Sequence, residues 1–151
     1  MSESFRNPSL AVDSICLRNG GSEVLLIRRG HPPWKGKLAF PGGFVDYGEH
    51  PREAAIREAM EELGIEISID DPKGEVGGAF GSDDGAIIRE EIFNEDGINW
   101  VSFTYRCSGE FGEDEIVPKD DEIEEARWFS KTDALRVAVS IFDIEAISTI
   151  D

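Results

Sequence analysis

The stretch Gly43-Phe-Val-Asp-Tyr-Gly-Glu49-His-Pro51-Arg-Glu-Ala-Ala-Ile-Arg57-Glu58-Ala-Met-Glu61-Glu62-Leu-Gly64-Ile65 joins a glycine-rich turn to the clearest helix in the chain. Pro51 suits a first helical position, where its missing N–H is not needed. Glu53 can fold back as in a capping box, and Gly64 supplies the stop, so a helix over Pro51 to Leu63 is expected. Ala55, Ala59 and Leu63 recur at four-residue steps and make an apolar face, joined by Ile56 and Met60 on the adjoining stripe. The opposite face is acidic. Glu58, Glu61 and Glu62 stand at i, i+3 and i+4, which crowds three carboxylates on one side at ~5–6 Å Cβ spacing. Like charges so placed destabilise a bare helix. They make sense around a hard divalent cation such as Mg²⁺, which takes oxygen ligands and is commonly shared between carboxylates and substrate phosphates.

Outward from this helix the pattern is mixed. Leu10 to Leu17 and Glu23 to Arg28 flank the turn signal Asn19-Gly20-Gly21 and predict a hairpin. The loop His31-Pro-Pro-Trp34-Lys-Gly36 leads to a brief strand near Lys37 to Phe40 and a turn at Pro41-Gly42-Gly43. Downstream, strands are predicted near Glu75 to Phe80, over Ile98 to Cys107 and over Ile123 to Phe129. The polar stretch Ser82 to Gly97 carries no assignment, and a C-terminal helix is predicted from Phe142 to Ile150. No regular βαβ rhythm appears, so the expected class is α+β, a mixed sheet packed between helices as a single domain over 1–151 with its core at about 10–150.

Fifteen Lys and Arg against 32 Asp and Glu give a net charge of −17, which disfavours non-specific attraction to nucleic acid or anionic membranes. Any anionic substrate then needs a cation as go-between. No apolar run approaches the ~20 residues of a membrane helix, and the first residues do not read as a signal peptide, so a cytoplasmic protein is expected. Cys16 and Cys107 each lie in an apolar stretch and read as buried thiols.

Three glutamates alone would read as a solvated face, but Gly43, Glu49, Arg57 and Gly64 stand around them in fixed register. Together these positions resemble the Nudix box, and Phe40-Pro41-Gly42-Gly43 before it and Ala126-Arg127-Trp128-Phe129 after it extend the likeness. The resemblance implies a Nudix-type α/β/α sandwich that hydrolyses a nucleoside diphosphate linked to another moiety. It implies Glu58, Glu61, Glu62 and the Gly42 carbonyl as ligands of Mg²⁺, or of Mn²⁺, and Arg57 as a residue that orients a carboxylate such as Glu49. The general base would be a box glutamate or one of Glu110, Glu113, Glu115, Asp120, Asp121 and Glu122. Arg28 and Arg29, at a strand end, suit substrate phosphates because guanidinium forks onto such groups. Trp34, Phe5 and Trp100 are candidates to stack on a base.

The stretch from Arg28 to Glu49 looks most like the ADP-ribose pyrophosphatase members, which would yield AMP and ribose 5-phosphate. Two alternatives stand beside it: a nucleoside triphosphate pyrophosphohydrolase that sanitises 8-oxo-dGTP, and a non-catalytic domain sensing nucleotide sugars. The expected partner is a small nucleotide, with no nucleic acid and no membrane. Many members of the family are homodimers.

Overall fold

The computed structural model describes residues 7–32, 34–69, 87–93, 98–109, 111–119 and 121–137. In chain order the strands are β1 (Ser9–Arg18), β2 (Glu23–Arg29), β3 (Leu38–Ala39) and β4 (Gly42–Phe44), then, after helix α1 (Pro51–Leu63), β5 (Ser68–Ile69), β6 (Ile87–Phe93), β7 (Ile98–Ser108) and β8 (Ile123–Ser130). Helix α2 (Lys131–Val137) follows. β1 and β2 form the predicted hairpin, with Asn19 and Gly20 at φ 52° and 68° in its turn.

β1 organises the sheet. It runs parallel to β7 from Ser9↔Trp100 to Leu17↔Ser108, and antiparallel to β2 and to β4. β8 and β3 pair with β2, and β6 and β5 with β7, all antiparallel. Side chains of β2 alternate between two cores, as a strand's period of two requires. Leu25 and Ile27 join Val12, Cys16, Tyr105, Trp128 and the α1 residues Ala55, Ala59 and Leu63. Val24 and Leu26 face Ile15, Leu38, Phe40, Phe129 and Ala134 of α2. The two helices thus cover opposite faces of a mixed α+β sheet.

Helix α1 spans the predicted residues because its end signals are local. His50 stays extended (φ −75°, ψ 140°) and its Nδ1 accepts from the Arg52 N–H at 3.1 Å, an imidazole cap; Gly64 closes the helix at φ 67°, donating to the Met60 carbonyl. Burial of Leu63, fully enclosed, contributes about 1.5–3 kcal/mol. The buried stripe is rotated from the expected one. Ile56 and Met60 are 36% and 42% exposed, while Ala54 and Glu62 turn inward beside Ala55 and Ala59. A carboxylate therefore occupies a place that a periodicity argument gives to an aliphatic residue.

Two further expectations change. Gly42 and Gly43 belong to a strand and not to a turn: β4 pairs with β1 in the register Asp13↔Gly42 and Val12↔Gly43, and the missing Cβ of Gly42 lets it close on the Val12 carbonyl. Within the unassigned stretch from Ser82 to Gly97, 87–93 forms β6, a ladder partner of β7. The strand predicted from Glu75 to Phe80, the helix from Phe142 to Ile150 and Phe5 lie outside the described residues. Cys16 and Cys107 are buried free thiols facing each other across β1 and β7. Among the described residues no helix is long and apolar enough to cross a membrane.

Candidate active site

Arg57 is the hub of the site. Its Nε and Nη2 fork onto Glu49 at 2.7 and 2.9 Å, Nη1 donates to Glu58 at 2.9 Å and Glu61 at 3.0 Å, and Nη2 also donates to the Phe44 carbonyl at 3.0 Å. The guanidinium fork suits this because its donors lie in fixed directions. Glu49 is shaped from the other side by a turn in which the Asp46 N–H donates to its Oε1 at 3.0 Å. Hydrogen bonding to Arg57, then to that N–H, pulls the Glu49 carboxyl down to about 2.

Glu62 behaves in the opposite way. It is only 7% exposed, and burial, reinforced by the nearby charge of Glu58, pushes its carboxyl up to about 9. The Gly42 N–H and the Glu58 carboxyl hydrogen-bond to it, and Glu122 adds further negative charge. Its Oε2 is nevertheless buried with no hydrogen-bond partner. An orphaned carboxylate oxygen is expensive unless something absent from the polypeptide satisfies it. Burial also raises the Glu58 carboxyl, against the lowering pull of Arg57. An all-oxygen set fits a hard cation.

Glu61 is turned outward onto Arg57 and is 59% exposed, so among the described residues no three acidic groups stand close enough to cage an ion as they are.

These carboxylates line a chamber of about 450 Å³ with Arg29, His31, Phe44, Trp100 and Glu122. A second, narrower space of about 120 Å³ adjoins it, lined by Asp13, Trp34, Phe40, Ser102 and others. Arg29, Gly42, Gly43, Phe44 and Trp100 border both. Arg29 and Trp34 thus reach the cleft, but Arg28 does not border it. Strand alternation sends Arg28 to the other face of β2, where it bonds Glu125 at 3.2 Å and the Gly36 carbonyl at 2.8 Å and braces the loop that carries Trp34. Trp34 itself holds φ 60°, an unusual conformation for a bulky residue.

Of the downstream acids, Glu110 and Asp120 lie outside the described residues, and among Glu113, Glu115, Asp121 and Glu122 the one bordering the chamber is Glu122. The segment before it is tied to the end of α1, with the Val117 and Lys119 N–H groups donating to the Leu63 and Glu62 carbonyls at 3.0 and 2.9 Å. Glu122 in turn accepts from the Gly30 N–H at 2.7 Å through its own carbonyl. Asp13 and Ser102 were not singled out by the sequence, having no motif around them, and Phe44 lies inside the box stretch without occupying one of its fixed positions.

The two glycines of β4 make separable tests. A Cβ at Gly42 would fall 2.1 Å from the Val12 carbonyl oxygen, which is backbone, whereas one at Gly43 would fall 2.4 Å from the carboxyl carbon of Glu58, which can move. Gly42→Ala should therefore destabilise the fold by about 1–3 kcal/mol in a denaturant melt. Gly43→Ala should leave the melt near wild type while displacing Glu58 and lowering turnover roughly tenfold.

A mixed sheet that places one carboxylate-bearing helix over a cleft with an aromatic annex defines a class of α+β domains. The NUDIX domain model matches residues 8–148, and the chain belongs to that family. It is 44% identical over 61 residues to the ADP-ribose pyrophosphatase of Methanocaldococcus jannaschii, covering 40% of this chain and 35% of that protein. It is 34% identical over 128 residues to the NAD-capped RNA hydrolase NudC of Pseudomonas aeruginosa, covering 82% of this chain and 37% of that protein. The chain thus spans little more than a third of the length of these relatives. The crystal structure of the MutT NUDIX hydrolase from Burkholderia pseudomallei superposes with a TM-score of 0.73 at 25% identity, covering 97% of this chain and 100% of that one.

Proposed function

We propose that the protein is a divalent-metal-dependent pyrophosphohydrolase of nucleoside diphosphates linked to another moiety, with ADP-ribose the leading substrate. The observation that carries this reading is the buried, partnerless Oε2 of Glu62 at the wall of a cleft whose other end is aromatic. Glu58, Glu61, Glu62 and the Gly42 carbonyl would hold Mg²⁺ or Mn²⁺. When bound, such an ion neutralises phosphoryl oxygens and makes water a better nucleophile.

The remaining work falls to the chain. Arg57 fixes Glu49 and Glu58, so that the carboxylates meet the substrate in one arrangement. Arg29 supplies a guanidinium to the diphosphate. Trp34 and Trp100 flank the base, and Glu122, brought beside Glu62 by the 117–119 segment, takes the proton from the attacking water. Water adds across the anhydride, one P–O bond breaks, and two phosphomonoesters leave.

The test is incubation of ADP-ribose, 8-oxo-dGTP and other nucleotides with protein and Mg²⁺, with products resolved by chromatography. AMP and ribose 5-phosphate in equal amounts are expected from ADP-ribose. Release of inorganic phosphate alone would sink this reading, and exclusive cleavage of 8-oxo-dGTP to a monophosphate and pyrophosphate would move the substrate to the triphosphate class.

A further inference from the structure

We propose that Arg28, which borders neither chamber, is a positioning residue for the nucleobase and acts through the Gly36 carbonyl on the placement of Trp34. The assignment rests on the reading of the narrower space as the place of the base, and it names the residue that sets one wall of that space.

The register explains why this side chain can do so. Arg28 stands opposite Leu38 on β3 and opposite Glu125 on β8, so it lies between two cross-strand neighbours. Gly36 precedes Leu38 by two residues, and its carbonyl accepts from Arg28 Nη1 at 2.8 Å. On the other side Arg28 Nε donates to Glu125 Oε2 at 3.2 Å, and Arg127 Nε donates to the second oxygen of the same carboxylate at 3.0 Å. A guanidinium can make both contacts at once because its donors point in fixed and different directions. The side chains of Arg28 and Glu125 are 35% and 42% exposed, so as an ion pair they add little to stability. What they fix is the position of the loop relative to β8.

That loop holds a costly conformation. Trp34 is at φ 60°, a left-handed value that a bulky residue seldom adopts, and Gly36 is at φ 83°. Backbone hydrogen bonds close the turn: the Lys37 N–H donates to the Trp34 carbonyl at 3.0 Å, the Gly36 N–H to the Arg29 carbonyl at 2.7 Å and the Arg29 N–H to the Lys37 carbonyl at 2.8 Å. The bond from Arg28 adds a side-chain hold two residues beyond Trp34, made from the face of β2 turned away from the cleft. Trp34 in turn borders the narrower space beside Arg29, Phe44 and Trp100. An aromatic wall contributes to binding only where its face meets the base, so a loop that is free to shift loses affinity for the base and leaves the phosphate contacts alone.

The experiment is a calorimetric titration of the full chain in Mg²⁺ with AMP and with ribose 5-phosphate. Neither ligand contains an anhydride, so nothing turns over, and the two differ in the base. Wild type should bind AMP at least ~10-fold more tightly, the weight of one stacked base. Arg28→Gln should weaken AMP roughly fivefold and leave ribose 5-phosphate within about twofold. Trp34→Ala should weaken AMP about tenfold, and in that background Arg28→Gln should change AMP by less than about twofold, because its effect is exerted through the indole. A merely structural role would act equally in both backgrounds. With ADP-ribose as substrate, Arg28→Gln should raise KM by the same factor as it weakens AMP and keep kcat within about twofold.

Glu125→Gln loosens Arg28 without touching the loop, so it serves if Arg28→Gln fails to fold, and it should weaken AMP about threefold with Trp34 present and not without it. AMP bound by wild type no more tightly than ribose 5-phosphate, a loss of equal size with and without Trp34, or a loss that falls on kcat and not on KM overturns the assignment. A protein that cleaves ADP-ribose while AMP affinity is untouched in the folded variants refutes only the role of Arg28. The coupled loss of AMP affinity without cleavage of ADP-ribose refutes only the substrate proposed above.

Discussion

Glu62→Gln should lower turnover about 10³-fold, because on the proposed reading it removes one of the carboxyl groups that would hold the cation and so weakens activation of water and charge neutralisation. The same substitution should make the metal-free protein more stable at neutral and alkaline pH. Glu62 keeps its proton in the folded state up to about 9 but releases it near 4.5 when unfolded, so the folded state binds more protons across that window. Wild-type stability in chelator should therefore decline as pH rises from 4.5 towards 9, and the variant, with nothing to titrate there, should show a shallower decline. Mg²⁺ should raise the wild-type melting temperature and raise that of Glu62→Gln less. Glu66→Gln, an exposed change just past the helix, is the charge control. Near-wild-type turnover in Glu62→Gln, with an undiminished gain from Mg²⁺, would remove this glutamate from the mechanism.

Arg57→Lys should cost about 10² in turnover although the charge is kept, since an ammonium cannot fork onto Glu49 while also reaching Glu58 and the Phe44 carbonyl. A misaligned carboxylate set is the cause, so Mg²⁺ affinity measured by calorimetry should weaken along with the rate. Acid stability gives an independent readout. Glu49 is held at about 2 chiefly by its hydrogen bonds to Arg57, so its contribution is present above the unfolded value of 4.5 and is lost as pH falls towards 2. With lysine that contribution shrinks, and the melting temperature of the variant should vary less between pH 5 and 3. An acid profile and rate equal to wild type would show that the fork has no part in the site.

Much of this site was legible in the sequence because its signals are local. Pro51, Gly64 and the four-residue steps of Ala55, Ala59 and Leu63 located helix α1, and the resemblance carried by the box positions implied that Arg57 orients a carboxylate, with Glu49 one candidate. What periodicity could not supply was the rotation of the helix. A rule that turns carboxylates outward places Glu62 in water and Ile56 in the core, and tertiary packing against β1 and β4 reverses both. The paired glycines at 42 and 43 read as a turn for a similar reason, since the Val12 carbonyl against which Gly42 closes and the Glu58 carboxyl against which Gly43 closes both come from other elements. Strand alternation could have separated Arg28 from Arg29, because Arg29 shares a face with Leu25 and Ile27. Asp13 and Ser102 lie 89 positions apart with no motif around either, so only the parallel pairing of β1 with β7 brings them together.

The hydrogen bonds from Val117 and Lys119 to the last carbonyls of α1 set a boundary for recombination. Two residues separate Lys119, docked on Glu62, from Glu122, whose carbonyl is docked on Gly30, so the length of this link is fixed by contacts at both of its ends. Helix α1 and the segment that carries Val117, Lys119 and Glu122 should therefore exchange as one unit. A chimera that exchanges them together keeps its acids in register, whereas one that takes the helix from one parent and the segment from another inherits a mismatch in length that no point substitution restores.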